Sequence, residues 1–286
     1  MDDPYLPPEL EHEIFEISAF QDQSSIPKLL RVCHRVHDWI EPLLYRVLVL
    51  SEDEDRSVLA LQMKSIVFKE LAVRHVYLQD GANALAATPV LLSQLPHVES
   101  LGMDGFASDQ LLRVMDALHL RKLNFCVPIV DTSAWAQSIF SRPCFRSVTR
   151  LELFYEPLKE SAQRIAWEDW SGIAYLPALT HLCLQYQLAK NIIPSIVEHC
   201  QGLEIFIIAF WGRWGLRTSA ELAANLPVND QRVLVMRVGD PSSFVKDWVQ
   251  GVEYGDDFWS RAETFLAGKR GGTTERTVFL LENSFD

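Results

Sequence analysis

Residues 176–184 read Leu-Pro-Ala-Leu-Thr-His-Leu-Cys-Leu, and this spacing of apolar residues indicates how the chain folds. Leu182 and Leu184 lie two residues apart, so their side chains point to the same face of an extended segment. Between copies of this phrase lie stretches with apolar residues at helical spacing, such as 109–118 and 192–199. The alternation predicts an α/β fold in which a strand and a helix recur along the chain.

The phrase returns several times with the same spacing. Its full and shorter copies begin at Val73, Leu95, Leu120, Phe145, Leu176 and Cys200. Residues 233–236 suit one further, uniformly buried strand. When the central apolar residue of each copy is taken as equivalent, the steps between copies are 25, 22, 28, 31 and 24 residues. The equivalent residues are Val76, Leu101, Leu123, Leu151, Leu182 and Phe206.

This pattern resembles the leucine-rich repeat, whose units are about 20–29 residues long. The resemblance implies a short, irregular solenoid with parallel strands over residues 51–240, in which each unit buries its inner face by stacking on its neighbours. The asparagine that usually follows each strand is replaced by Phe106, Glu156, Gln187 and Trp211. A nonrepetitive α/β sheet is the alternative. The resemblance also implies that the curved face of the repeats binds another protein.

The first fifty residues suit three short helices. Pro7 and Pro8 precede apolar residues at helical spacing, which is typical of a helix start. Ser24 and Ser25 predict the start of a second helix that continues to about Val36. A third helix is predicted to begin near residue 38. Pro42 predicts a break in this third helix, since proline donates no backbone hydrogen bond.

The same residues resemble the F-box of a large group of proteins from mushroom-forming fungi. The resemblance rests on Leu-Pro-Pro-Glu-Leu at 6–10, Ile-Phe at 14–15, Leu-Arg-Val-Cys-His-Arg-Val at 30–36 and Leu-Leu-Tyr-Arg at 43–46. It implies that residues 1–50 form an F-box-like helical domain that binds a Skp-family adaptor and, through it, a cullin–RING ubiquitin ligase. A helical cap that only packs on the next domain is the alternative. The implied adaptor contacts are Leu6, Pro7, Leu10, Ile14, Phe15, Leu30, Val32 and Cys33.

Residues 241–286 differ from the repeats and predict a C-terminal helix and strand. Asp256 and Asp257 suit the start of a helix that carries Phe258 and Trp259 on one face and ends at 271–272, where two glycines stand. Residues 277–281 suit a short strand. We expect this section to cap the open end of the stacked repeats, with the two aromatic residues in the core.

The charge of the chain does not favour nucleic-acid binding, and its motifs do not predict catalysis. The formal net charge is -12, and no run of Lys and Arg of the kind that binds nucleic acid occurs. We find no motif for a catalytic nucleophile, a metal or a bound phosphate, so the prediction is a protein that is not an enzyme and carries no cofactor and no metal. Five scattered cysteines, each in an apolar stretch, suit buried reduced thiols. Together with the lack of leader or membrane-spanning features, they predict a cytoplasmic or nuclear protein.

Two aromatic-rich segments are the candidates for target recognition, because Trp and Arg dominate the energetics of protein interfaces. They are Trp167-Glu168-Asp169-Trp170 and Phe210-Trp211-Gly212-Arg213-Trp214. The same aromatic residues could instead fill the core. The target-binding candidates are Trp167, Trp170, Trp211, Arg213 and Trp214.

Taken together, the sequence predicts the substrate-recognition subunit of an SCF-type (cullin–RING) ubiquitin ligase. In this interpretation the N-terminal helices bind the adaptor and the repeat face binds a target protein. The alternative is a protein-binding scaffold with no connection to a ligase. The sequence does not identify the target.

Overall fold

The computed structural model describes residues 6–51, 56–79, 81–82, 85–127, 132–155, 165–211, 215–238, 241–275 and 279–282. The described residues contain nine strands in one parallel sheet, and strands that are neighbours along the chain are neighbours in the sheet. The strands are Val47–Leu50 (β1), His75–Leu78 (β2), Ser100–Met103 (β3), Lys122–Val127 (β4), Arg150–Tyr155 (β5), His181–Gln185 (β6), Ile205–Trp211 (β7), Val233–Val238 (β8) and Leu280–Glu282 (β9).

Helices precede, connect and follow the strands. They are Pro8–Gln21 (α1), Ile26–Leu29 (α2), His34–Ile40 (α3), Arg56–Gln62 (α4), Ile66–Ala72 (α5), Ala87–Leu92 (α6), Asp109–Met115 (α7), Thr132–Ile139 (α8), Trp167–Trp170 (α9), Tyr186–Ala189 (α10), Ile193–His199 (α11), Gly215–Ala224 (α12), Pro241–Tyr254 (α13) and Phe258–Gly271 (α14). Short 3-10 helices span Gln23–Ser25, Glu41–Tyr45, Pro143–Phe145 and Ser171–Tyr175.

The predicted register of the strands is confirmed. Leu151 pairs with Leu182, and Leu182 pairs with Phe206, in adjacent parallel strands. Val76, Leu101 and Leu123 continue the same row, which Leu48 and Val233 extend at either end. We call this buried row the apolar ladder: Leu48, Val76, Leu101, Leu123, Leu151, Leu182, Phe206 and Val233.

The apolar ladder lies on the face of the sheet that the connecting helices cover, which we call the inner face. Leu92 of α6, Met115 of α7 and Ile196 of α11 belong to the same core as the ladder. Because each of these helices lies between two consecutive strands, every strand–helix unit buries its apolar side with help from its neighbours. This arrangement is the one that the recurring phrase predicts.

The opposite face of the sheet, the outer face, is covered by α13 and α14. Tyr77, Cys183 and Ile207 alternate with ladder residues along their strands, and they form a second core with Trp248 of α13 and Trp259 of α14. The prediction of a C-terminal cap over the end of the stack was therefore wrong for the helices. At that end only β9 extends the sheet, by pairing with β8.

The two helices lie on this face because β7 and β8 are apolar on both sides. Ile205 and Ile207 alternate with Phe206 and Ile208, and all four side chains are buried. The start and end of α14 are as predicted. Asp257 accepts a hydrogen bond from the backbone N–H of Ser260, and Gly272 ends the helix with a φ of 79°. Phe258 and Trp259 are buried, as predicted.

The N-terminal helices have a small core of their own. Ala19, Ile26, Val36 and Ile40 are buried, and half-buried side chains from α1, α2 and α3 pack against them. The predicted second helix is interrupted, since α2 ends at Leu29 and α3 begins only after a turn over residues 30–33. The predicted break at Pro42 is confirmed, because the chain changes there from α3 to the 3-10 helix Glu41–Tyr45.

The boundary between the helices and the sheet lies slightly earlier than residue 50. Val47–Leu50 is the first strand of the sheet, and Leu48 of this strand is part of the apolar ladder. Four residues assigned to the helical domain therefore belong to the sheet. The reason is that Val-Leu-Val-Leu alternates with a period of two, which suits a strand.

Candidate protein-interaction surfaces

One side of α1 is apolar and exposed. Leu10, Ile14 and Ile17 follow one another at helical spacing, with exposed fractions of 46%, 52% and 48%. Leu6, just before the helix, is also exposed. We call these four residues the α1 surface. Apolar side chains grouped on one face of a short helix are typical of a protein-binding surface.

The remaining predicted adaptor contacts divide into two groups. Pro7, Val32 and Cys33 are exposed, the last two in the turn before α3. Phe15 and Leu30 are half-buried and pack against the small core of the N-terminal helices. Phe15 thus lies on the side of α1 that packs against the small core, while the α1 surface faces outward.

Polar and aromatic contacts fix α1 relative to α3. Arg35 of α3 forms an ion pair with Glu11 of α1. The His12 ring stacks on the Trp39 ring with 4.8 Å between centroids, and the Arg35 guanidinium lies 5.3 Å from the centre of the same indole ring. The α1 surface is therefore held in a defined orientation before any partner binds.

A second exposed apolar group lies on and beside α5, and the sequence reasoning missed it. Its members are Met63, Ile66, Val67 and Leu71. This region contacts the N-terminal helices, because Lys64 donates a hydrogen bond to Glu41 at 2.6 Å and Tyr45 packs edge-to-face on Phe68 at 5.5 Å. The available signal was the run Ile66-Val67-Phe68, in which only Phe68 points toward a neighbour.

The outer face of the sheet is one of the two faces of the repeats that could bind a target, and it is occupied by the chain itself. Buried polar contacts join it to α14. Lys122 Nζ forms an ion pair with Asp257 at 2.7 Å, and Trp259 Nε1 donates to Glu152 Oε1 at 2.5 Å. Asn124 Nδ2 donates to the other oxygen of Glu152 at 2.8 Å. Where α13 and α14 lie, the outer face is therefore not open to a partner.

The environment of these carboxylates is unusual. Burial raises the pKa of Glu152, and Lys122, Asn124 and Trp259 only partly offset this effect. Burial also acts to raise the pKa of Asp257, but Lys122 and the backbone N–H of Ser260 outweigh it and lower the pKa. The ion pair with Lys122 thus keeps Asp257 charged inside the protein.

A glycine allows the two layers to approach closely. A Cβ atom on Gly102 would lie 2.5 Å from the ring of Tyr77 and 3.3 Å from Trp248 Nε1. The aromatic side chains of the strand and of α13 cross at this point, with 5.2 Å between ring centroids. Only a residue without a side chain leaves room for this crossing.

The tryptophan candidates for target binding differ in how deeply they are buried. Trp170 is fully buried, with its ring 5.7 Å from that of Phe140, so its assignment to a binding surface was wrong. The short helix α9 turns it into the core of the inner face. Trp167 is half-buried and packs on His199. Trp211 ends β7, and its side chain, like Arg213 and Trp214, lies outside the described residues.

Among the described residues, no three His, Cys, Asp or Glu side chains are grouped as metal ligands, and no helix is long and apolar enough to cross a membrane. None of the five cysteines forms a disulfide bond. Cys144, Cys183 and Cys200 are buried as expected, whereas Cys33 is exposed because it lies in the turn before α3.

Comparison with known proteins finds no family model that matches the chain and no curated protein that is significantly similar to it.

Proposed function

We propose that this protein is the substrate-recognition subunit of a cullin–RING ubiquitin ligase and binds a Skp-family adaptor through its N-terminal helices. The observation that carries the proposal is the α1 surface. Leu6, Leu10 and Ile14 are exposed at the positions where the F-box resemblance expects adaptor contacts. They stand on helices that have their own small core.

The energetics favour occupation of the α1 surface by a partner. Full burial of an exposed Leu or Ile side chain contributes about 1.5–3 kcal/mol, and these half-exposed side chains contribute about half of that when a partner covers them. Leu10, Ile14 and Ile17 lie on one helical face, which suits insertion into an apolar groove. Because Arg35 and Trp39 already hold α1 in place, little conformational entropy is lost on binding.

In this proposal the protein performs no chemistry itself. It brings a target close to the conjugating enzyme and thereby raises the effective concentration of the target's lysines. Since α13 and α14 cover the outer face, we assign target binding to the two aromatic segments, with Trp167, Trp211, Arg213 and Trp214 as the remaining candidates.

Calorimetry of the full chain with a purified Skp-family adaptor tests the proposal. Changing Leu10 and Ile14 together to Glu removes two contacts, so the dissociation constant should rise by at least about a hundredfold. Val90→Glu is the matched control, because Val90 on α6 is equally exposed and lies outside the N-terminal helices. Its affinity for the adaptor should equal that of the wild type.

Two results would contradict the proposal. One is equal affinity of the wild type and the Leu10→Glu, Ile14→Glu variant. The other is a folded wild-type chain that does not bind the adaptor, which would favour a scaffold with no ligase connection. Far-UV circular dichroism of both variants shows whether the fold is intact.

A further inference from the structure

A cleft runs along the edge of the sheet where the strands begin. The first residues of β2 to β6 are register partners and lie side by side across five strands. With side chains from the preceding loops they line a cleft of about 360 Å³, which Gly251 of α13 and Asp257 just before α14 border on one side. The row of first residues is His75, Ser100, Lys122, Arg150 and His181.

The cleft is cationic in a protein that is acidic as a whole. Arg46, Arg121, Lys122 and Arg150 line it, against the two carboxylates Glu99 and Asp257. Two of these cations are already paired within the protein. Lys122 pairs with Asp257, and Arg150 pairs with Glu263 at 2.7 Å.

Among the described residues, the guanidinium groups of the other two cations, Arg46 and Arg121, do not form such ion pairs. Neither Arg46 nor Arg121 donates a side-chain hydrogen bond or forms an ion pair within the described residues. Arg46 packs over the Phe20 ring at 5.0 Å and keeps a buried Nε without a partner. Arg121 is exposed. Within the described residues, neither guanidinium is therefore held in a direct ion pair, although the Glu99 carboxylate lines the same cleft.

His75 supplies a second, independent observation. Its side chain lines the cleft and the residue is only 8% exposed, yet neither ring nitrogen has a hydrogen-bond partner among the described residues. Buried polar atoms are nearly always hydrogen-bonded, so an unpartnered imidazole at a cleft indicates a missing ligand group. A neutral imidazole has one N–H to donate to an anion.

We propose that this cleft binds a small molecule that carries a phosphate group. The guanidinium groups of Arg46 and Arg121 match phosphate oxygens in geometry and charge, and the imidazole of His75 donates to a further oxygen. The volume is near the lower limit of ordinary ligand pockets, which suits a small ligand. The net charge of -12 disfavours a nucleic acid chain.

A ligand in this cleft stabilises the fold because of where the cleft lies. Arg46 follows the 3-10 helix that ends the N-terminal helices, His75 and Lys122 begin strands, and Asp257 begins α14. A ligand here contacts the N-terminal helices, the sheet edge and the C-terminal helices at once. It therefore stabilises the folded chain in proportion to its concentration and affinity.

Thermal unfolding and calorimetry of the full chain test the proposal, with inorganic phosphate and glycerol phosphate as probes. Each is compared with sodium chloride at equal ionic strength. Both probes should raise the unfolding temperature above the chloride value. Tighter binding of glycerol phosphate assigns the site to a phosphate ester, and tighter binding of inorganic phosphate assigns it to the free ion.

Two variants locate the effect in the cleft. Arg121→Gln, at an exposed position, should weaken phosphate binding at least about tenfold, because it removes a charge-assisted contact. His75→Leu should remove the response to phosphate. Arg113→Gln, on the exposed side of α7, is the matched control and should bind like the wild type. Arg121→Gln reports on the site even where His75→Leu does not fold.

Two outcomes overturn the proposal. One is a wild-type chain that phosphate stabilises no more than chloride does. The other is a response to phosphate in Arg121→Gln that equals that of the wild type.

Discussion

The two faces of the sheet are closed by different means. On the inner face, the apolar ladder packs against helices that directly connect the strands, so each contact joins nearby parts of the chain. On the outer face, two helices from the end of the chain close the sheet. Their contacts join residues far apart in sequence, such as Lys122 with Asp257, which are 135 positions apart.

The chemistry of the two faces differs as well. The inner face is uniformly apolar, so we expect it to tolerate apolar substitutions that keep the total side-chain volume. The outer face contains Lys122, Asn124 and Glu152, each of which is buried and bonded to a particular partner. We therefore expect substitutions on the inner face to lower the free energy of unfolding by leaving cavities. Substitutions on the outer face should lower it by removing a hydrogen-bond or ion-pair partner.

The largest effect is expected on the outer face, from Lys122→Met. This change leaves Asp257 buried and charged without its ion-pair partner, which should lower the free energy of unfolding by about 3–5 kcal/mol. Adding Asp257→Asn removes the uncompensated charge and should recover part of the loss. Urea unfolding of both variants measures the difference.

The two variants also test whether α14 is attached as described. If Lys122→Met alone cost less than the double variant, the ion pair would not hold α14 to the sheet.

On the inner face, Leu182→Ala should lower the free energy of unfolding by about 2–5 kcal/mol, because Leu151 and Phe206 enclose it from both neighbouring strands and a cavity remains. Thr180→Ala is the matched change just before the same strand. Thr180 is half-buried, and its hydroxyl lies 3.2 Å from Thr149 O and 2.8 Å from His181 Nδ1. Its removal leaves no large cavity, so it should cost only about 1 kcal/mol or less. Equal costs in urea unfolding would contradict the ladder.

A smaller effect is expected at the edge where the outer face meets the cleft, and it depends on pH. Burial, together with Arg46, Lys122 and Arg74, lowers the pKa of His75 to about 4 from its ordinary value of 6.5. Between these values the unfolded chain binds a proton that the folded chain does not. The stability that the neutral His75 contributes is therefore present above pH 6.5 and is lost as the pH falls toward 4.

From pH 7 to pH 5 this loss should amount to about 2 kcal/mol. Urea unfolding at the two pH values measures it, with His75→Leu as the reference that lacks the titrating group. The decrease in stability should be smaller in this variant by that amount. The same decrease in both proteins would mean that His75 does not titrate with a lowered pKa.

The contrast between the faces also explains which features of the fold were predictable from the sequence. The spacing of Leu151, Leu182 and Phe206 gave the strand register correctly, since local repetition fixes which residues stack. Proline and capping residues gave the break at Pro42 and the start of α14 at Asp257. These features depend on residues close together in the chain.

Features that depend on distant contacts were not predictable. Apolar spacing in α14 shows that Trp259 is buried, but not whether it packs on the end or on the face of the sheet. The burial of Asn124 and Glu152 on β4 and β5 could not be read from the sequence, because Trp259, which donates a hydrogen bond to Glu152, lies 107 positions away. Trp170 was ambiguous between surface and core for the same reason.

Hydrogen–deuterium exchange of the full chain, with and without a Skp-family adaptor, tests most directly whether the N-terminal helices are the open docking surface and the outer face is already filled. We expect adaptor-dependent protection in peptides that cover α1 and the turn before α3, and no change over α13 and α14. Protection gained over α13 and α14, or none over α1, would contradict the account.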